Sequence, residues 1–213
     1  MRLDHLSYAA GPEGLAACLQ RLGSRLGAGF TDGGIHPSFG TRNFVLALAN
    51  GSYLEVVEAL DHPAVERAPF GRAVRERSEM GGGWLGWAIR VADINAVETR
   101  LGRRAADGHR RRPDGFDLRW KQIGINDILA DPQLPFFVQW LTDDQHHPSA
   151  GGSSLSLQGL EIAGDQARID DYLGVPTHQP LDGIAVQWLP PVEGETGVIA
   201  AVFGTASGEV RLD

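Results

Sequence analysis

The residues best suited to chemistry in this sequence fall on one face of short strands. Alternation along the opening LDHLSYA turns Leu6 and Tyr8 one way and His5 and Ser7 the other. The same count places Tyr53, Glu55 and Val57 on one face of YLEVVEA, and Phe137, Gln139 and Leu141 on one face of LPFFVQWL. In LGWAIRV, Gly86 lies opposite Trp87 and Ile89 and leaves a gap. His5, Glu55 and Gln139 are therefore expected together on a helix-free face among aromatics. Glu55 is the natural proton acceptor of the set. Taken singly, Glu55 also fits an edge-strand carboxylate facing solvent, and His5 an ordinary hydrogen-bonded histidine.

Other residues could contribute. His36 precedes Pro37 in a glycine-rich loop (Gly33, Gly34, Gly40) from which it could reach a binding site, or it is a surface group. Thr41, Arg42 and Asn43 follow at a strand start, where Arg42 could clamp a carboxylate or phosphate bidentately. Trp120 faces opposite to Arg119 and Lys121 on one strand, and either side could line a cavity. His146 and His147 lie between Asp143-Asp144 and Pro148-Ser149 in an apparent linker, where a metal role is not favoured. Cys18, the single cysteine, forms no internal disulfide and falls on the apolar side of a helix as buried filler. GGSSLS is not a nucleophile elbow, and no GxGxxG or other phosphate-cradling loop precedes a helix.

The elements that must position these groups repeat. LDHLSYA, LGWAIRV and LQGLEIA each precede a helical pattern ending in Leu-Gly, at Leu22-Gly23, Leu101-Gly102 and Leu173-Gly174. Leu15, Cys18, Leu19 and Leu22 keep helical spacing, as do Ile94, Val97 and Leu101, and Ile169, Tyr172 and Leu173. Asp93 and Asp165 stand at N-cap positions. Antiparallel strands follow each helix, most clearly in NFVLALANGSYLEVVEA with Asn50-Gly51 at its turn. Each unit thus reads β-α-β-β-β. AVERAPFGRAVRERSEM is a helical connection, and Gly81 to Gly83 a flexible joint.

At 213 residues with 42% hydrophobic and 22% charged residues, the chain has the composition of a folded globular protein. No apolar run is long enough to cross a membrane and no signal-peptide pattern opens the sequence, so a cytoplasmic protein is expected. The net charge of −8 divides into −1 over residues 1–60, +4 over 61–121 and −11 over 122–213, which argues against nucleic acid and anionic membrane as partners. The basic cluster Arg103, Arg104, Arg110, Arg111 and Arg112 reads as a solvated loop facing the acidic C-terminal third; the alternative is an anionic substrate drawn to it.

These segments resemble the vicinal oxygen chelate superfamily and, within it, bacterial glyoxalase-like domain proteins. The resemblance is carried by LDHLSYA, GGIHPSFGTRNFVLALANGSYLEVVEA, LGWAIRV, RRPDGFDLRW and LPFFVQW, over about residues 1–142. It implies an α+β fold of tandem βαβββ modules, residues 1–60 and 84–142 joined by a helical connection over 61–83, whose mixed sheet forms a cup with helices outside. Residues 153–213 are expected as a third, βαβββ-like extension. The resemblance also implies a ligand set from the first and last strands of each module, at His5, Glu55, Gly86 and Gln139. Gly86 has no side chain and Gln139 is a weaker ligand than a carboxylate, so a divalent Zn, Ni, Mn, Co or Fe ion would be held by His5, Glu55 and Gln139 with water. Such an ion would stabilise an enolate or oxyanion. The implied function is a metal-assisted lyase or isomerase acting on a small oxygen-rich molecule in the cup, with Glu55 as ligand or base and His36, Arg42, Asn43, Tyr53, Arg119, Trp120 and Phe137 around the substrate. The alternative is a metal-free drug-sequestering protein of the bleomycin-resistance kind. A homodimer is compatible with either.

Overall fold

The computed structural model describes residues 1–191 and 195–213; residues 192–194, inside the expected third unit, lie outside the described residues. Strand β1 (Arg2–Ala9) leads into helix α1 (Leu15–Leu26), whose buried stripe Leu15, Cys18, Leu22 and Leu26 keeps 3- and 4-residue spacing. The helix runs one turn beyond the expected Leu22-Gly23 end, because Leu26 continues the stripe and Gly27, at φ 66°, supplies the left-handed cap. Strands β2 (Thr31–His36), β3 (Thr41–Ala47) and β4 (Tyr53–Ala59) follow. Gly33, Gly34 and His36 are therefore in a strand, not the loop expected from their glycines.

Helices α2 (Ala64–Arg67) and α3 (Pro69–Glu79) fill the connection. The second unit comprises β5 (Gly83–Arg90), α4 (Ile94–Leu101), β6 (Ala106–Arg111), β7 (Asp117–Ile123) and β8 (Phe136–Trp140). The expected basic loop is thus largely strand β6. The third unit comprises β9 (Ser156–Ala163), α5 (Gln166–Leu173), β10 (Ala185–Leu189), β11 (Gly197–Thr205) and β12 (Gly208–Leu212). Asp93 and Asp165 each accept a hydrogen bond from the backbone N–H two residues on, at 2.9 Å, and Gly102 and Gly174 close their helices in the left-handed conformation.

The first eight strands close into a barrel in the order β1-β4-β3-β2-β6-β7-β8-β5. In both halves the first strand runs parallel to the last, β1 with β4 and β5 with β8, so each βαβββ unit contributes half the wall. The halves meet along antiparallel β1 and β5 and close through the single bridge Ile35 to Arg111 between β2 and β6. The cup is completed within one chain. Gly34 permits the narrow second seam: its φ is 104°, and a Cβ there would run into the Arg111 carbonyl.

The third unit forms its own four-stranded sheet in the order β10-β9-β11-β12. Its first strand pairs in parallel with its second rather than its last, so it repeats the element order of the other units but not their strand order. Its apolar residues Leu160, Ile162, Ala201 and Phe203 join Leu6, Trp87 and Ile89 from the outer face of the barrel in one core. A second apolar cluster, with Phe70 and Val74 from α3 and Ile125, Ile128 and Phe136, plugs the barrel. Among the described residues no helix is long and apolar enough to cross a membrane.

Candidate functional site inside the barrel

A bulge at the start of β1 sets the site's first pair. The β1–β5 register slips between Leu3 and His5, so Leu3 and Leu6 both reach the outer core while Asp4 and His5 both turn toward the barrel's polar groups. Asp4 is fully buried and accepts three hydrogen bonds: from His5 Nδ1 at 2.8 Å, Trp140 Nε1 at 3.0 Å and His147 Nε2 at 3.1 Å. Burial alone would raise its pKa, but the bonds from His147 and His5, with their charges, hold it well below the ordinary carboxylate range. Because a carboxylate only accepts, Nδ1 of His5 donates in this bond, and Nε2 is left to face the chamber. The His5 ring stacks on Tyr53 with centroids 4.6 Å apart, and Phe136 meets it edge-on at 5.3 Å.

Glu55 faces this imidazole. Its Oε1 is 3.8 Å from His5 Nε2 and accepts from Ser7 Oγ at 2.7 Å, while Oε2 accepts from Asn43 Nδ2 at 2.7 Å. Burial pushes the Glu55 pKa up, yet His5, His36 and the two hydrogen bonds outweigh it, and the net shift is downward. His36 turns inward with Nδ1 3.1 Å from Thr41 Oγ1, and burial, then Arg110, push its pKa down to about 3. Burial also drives the Tyr53 hydroxyl far above its usual range, so it remains a neutral phenol.

His5, His36, Tyr53, Glu55 and Trp120 thus line one chamber, with Asn43 behind Glu55. The chamber is about 30 Å³, room for about two waters. Arg110 lines both it and an open cleft of about 690 Å³ beneath residues 145–153.

Four expected site residues stand elsewhere. Gln139 faces outward, where its Oε1 accepts the Ile94 N–H at the start of α4 at 2.9 Å, and Phe137 packs in the outer core against Tyr172. Strand β8 is apolar on both faces, and the inward set is Phe136, Val138 and Trp140, the opposite of the expected phase. Arg42 lies outside, pairing with Asp32 and covering the Phe44 ring. Exposed Arg119 pairs with Asp117 at 3.0 Å. The gap at Gly86 is filled: a Cβ there would stand 2.6 Å from Ile128 Cδ1.

Asp4 is not among the expected residues, Arg110 is expected only within a basic cluster with an anionic substrate as its alternative role, and His147 only in a linker. The bulge hides Asp4 from simple alternation, and His147 reaches Asp4 across 143 residues of sequence. Arg110 carried a usable signal, since it alternates with Gly108 along β6 toward the face of Trp120.

The profile of the glyoxalase-like domain family matches residues 3–171. The chain belongs to this family. No curated protein matches it. Among solved structures, this glyoxalase-like chain is similar to a hypothetical protein from Staphylococcus aureus, at 14% identity and TM-score 0.62, over 81% of this chain and 75% of that one. A methylmalonyl-CoA epimerase from Mycobacterium tuberculosis aligns at 17% identity and TM-score 0.41, over 65% and 86%.

The ligand set expected from the resemblance does not fit these residues. Of its four positions, only His5 and Glu55 offer donors facing the chamber; Ile128 fills the space at Gly86 and Val138 takes the inward place expected of Gln139. No group of three or more His, Cys, Asp or Glu with metal-holding geometry occurs among the described residues.

Proposed function

We propose that this glyoxalase-like protein binds a small oxygen-rich molecule in its barrel and moves a proton on it, as an isomerase or lyase, with His5 rather than Glu55 taking the proton. The arrangement of His5 carries this reading. Its Nδ1 is held at 2.8 Å by Asp4, its ring is fixed on Tyr53, and its Nε2 is turned toward Glu55 at 3.8 Å. Asp4 and Glu55 stabilise the imidazolium that forms when Nε2 accepts a proton. Glu55, already accepting from Ser7 and Asn43 and lowered in pKa, is the weaker base and the better charge partner. No step requires a metal ligand set.

The test is deuterium uptake from solvent at the carbon next to a carbonyl or hydroxyl, followed by proton NMR over a panel of small 2-oxo and 2-hydroxy compounds. Wild type is expected to exchange at least one. His5→Gln should lower the rate about 10²–10⁴-fold, and Glu55→Gln should lower it less. Metal analysis of protein purified without chelator should find Mn, Fe, Co, Ni and Zn well below one per chain. Stoichiometric metal lost in both His5→Ala and Glu55→Ala would sink the metal-free mechanism. A second reading, sequestration of an aromatic compound, is favoured by the rings of Phe39, Phe70, Trp120, Phe136 and Trp140 around the chamber. Thermal stabilisation by aromatic compounds without exchange of any panel member would select it.

A further inference from the structure

Given a barrel that binds a small molecule, as proposed above, we infer that its ligand is a 2-hydroxy monocarboxylate, anchored by Arg110 through the carboxylate and by Asn43 through the hydroxyl. Arg110 is only 3% exposed, takes part in none of the ion pairs found among the described residues, and its Nε has no hydrogen-bond partner among them. Three other arginines of this region, half-buried Arg42 and Arg112 and exposed Arg119, are each paired with an aspartate. A guanidinium stays charged, so burying one unpaired is costly, and an arriving anion supplies what the fold leaves out.

The second unsatisfied atom identifies the rest of the ligand. Asn43 Nδ2 is committed to Glu55 at 2.7 Å, which turns Oδ1 away, and Oδ1 is buried with no donor. Asn43 Oδ1 and Arg110 Nη1 both stand against the point where a Cβ on Gly33 would be, Nη1 at 2.9 Å, so an orphan acceptor and an orphan cation lie side by side. A 2-hydroxy carboxylate presents the complement, two oxygens for the guanidinium fork and an adjacent O–H for the amide oxygen. A single negative charge suits the site because Asp4 and Glu55 already contribute two; a phosphate dianion would meet more repulsion. Gly33 and Arg110 both line the open cleft of about 690 Å³, so the ligand reaches this pair from the cleft and not from the two-water chamber.

The experiment is calorimetric titration of the full chain with lactate, propionate, lactamide and inorganic phosphate. Lactate is expected to bind saturably, propionate about tenfold more weakly for want of the hydroxyl, and lactamide and phosphate more weakly still. Arg110→Met should weaken lactate at least about 30-fold while leaving lactamide unchanged, and Arg112→Met should change neither beyond about threefold. Should Arg110→Met fail to fold, Arg110→Lys, which keeps the charge and loses the fork, should still weaken lactate about tenfold. Equal lactate affinity in the Arg110 variants, lactamide as tight as lactate, or phosphate tighter than lactate each overturns the assignment. Lactate bound through Arg110 without deuterium uptake supports it and sinks only the proton-transfer reading. Exchange on uncharged ketones that survives Arg110→Met does the reverse.

Discussion

His36 sits neutral in a place that rejects its proton. Burial disfavours the imidazolium, the Arg110 guanidinium adds repulsion, and the result is a pKa of about 3 against an unfolded value near 6.5. The sign follows from proton counts: below pH 6.5 the unfolded chain binds this proton and the folded chain does not, so acid favours unfolding. Asp4 and Glu55, both lowered, withdraw stability only as the pH falls through the carboxylate range, which leaves pH 5 to 7 to the histidine. Urea unfolding is expected to show about 2 kcal/mol less stability at pH 5 than at pH 7, a difference that His36→Gln should largely remove. A flat wild-type profile over this range would show that His36 titrates normally. The inward turn of His36 was not legible from HPSFG, because glycines that look like loop punctuation serve here to bring two strands close. His5, Tyr53 and Glu55 were legible, since β1 and β4 keep strict alternation from His5 onward.

At the scale of elements, the barrel depends on one bridge between β2 and β6 and on the glycine that allows it. Gly34→Ala combines a positive φ with a Cβ forced into the Arg111 carbonyl, and β6 carries Arg110. The substitution should cost about 3 kcal/mol in urea unfolding and should weaken lactate binding as the seam opens. Gly115→Ala, also at positive φ but with nothing within 4 Å of its Cβ, is the control and should cost about 1 kcal/mol with binding unchanged. Equal losses at the two positions would remove the seam's special role. Element order was readable from repetition and caps, but strand phase failed wherever a bulge intervened or both faces were apolar. Asp4 illustrates the first case, and Phe136-Phe137 the second: Phe136 lines the chamber while Phe137 lies in the outer core, and nothing in the composition of LPFFVQWL separates them.

Over the whole molecule, the third unit is packed as a partner of the barrel wall. Phe203 from β11 and Leu160 from β9 lie fully inside the cluster that holds Leu6, Trp87 and Ile89 of the barrel, and Trp84 Nε1 donates to the Leu212 carbonyl at 3.2 Å. The wall strands β1 and β5 that display those residues outward carry His5 and Gly86 inward, so the small sheet backs the strands that hold the base. A core shared this way should melt as one unit. Trp188 reports on the small sheet, and Trp120 and Trp140, inside the barrel, report on the barrel. Urea curves from the fluorescence of single-tryptophan variants of each kind should therefore coincide. Phe203→Ala, which removes a large side chain from a site with no solvent contact, should cost about 3–5 kcal/mol and shift both curves together. Loss of the Trp188 transition alone, with the barrel signal unmoved, would show two independent folding units and would detach the third unit from the geometry of His5.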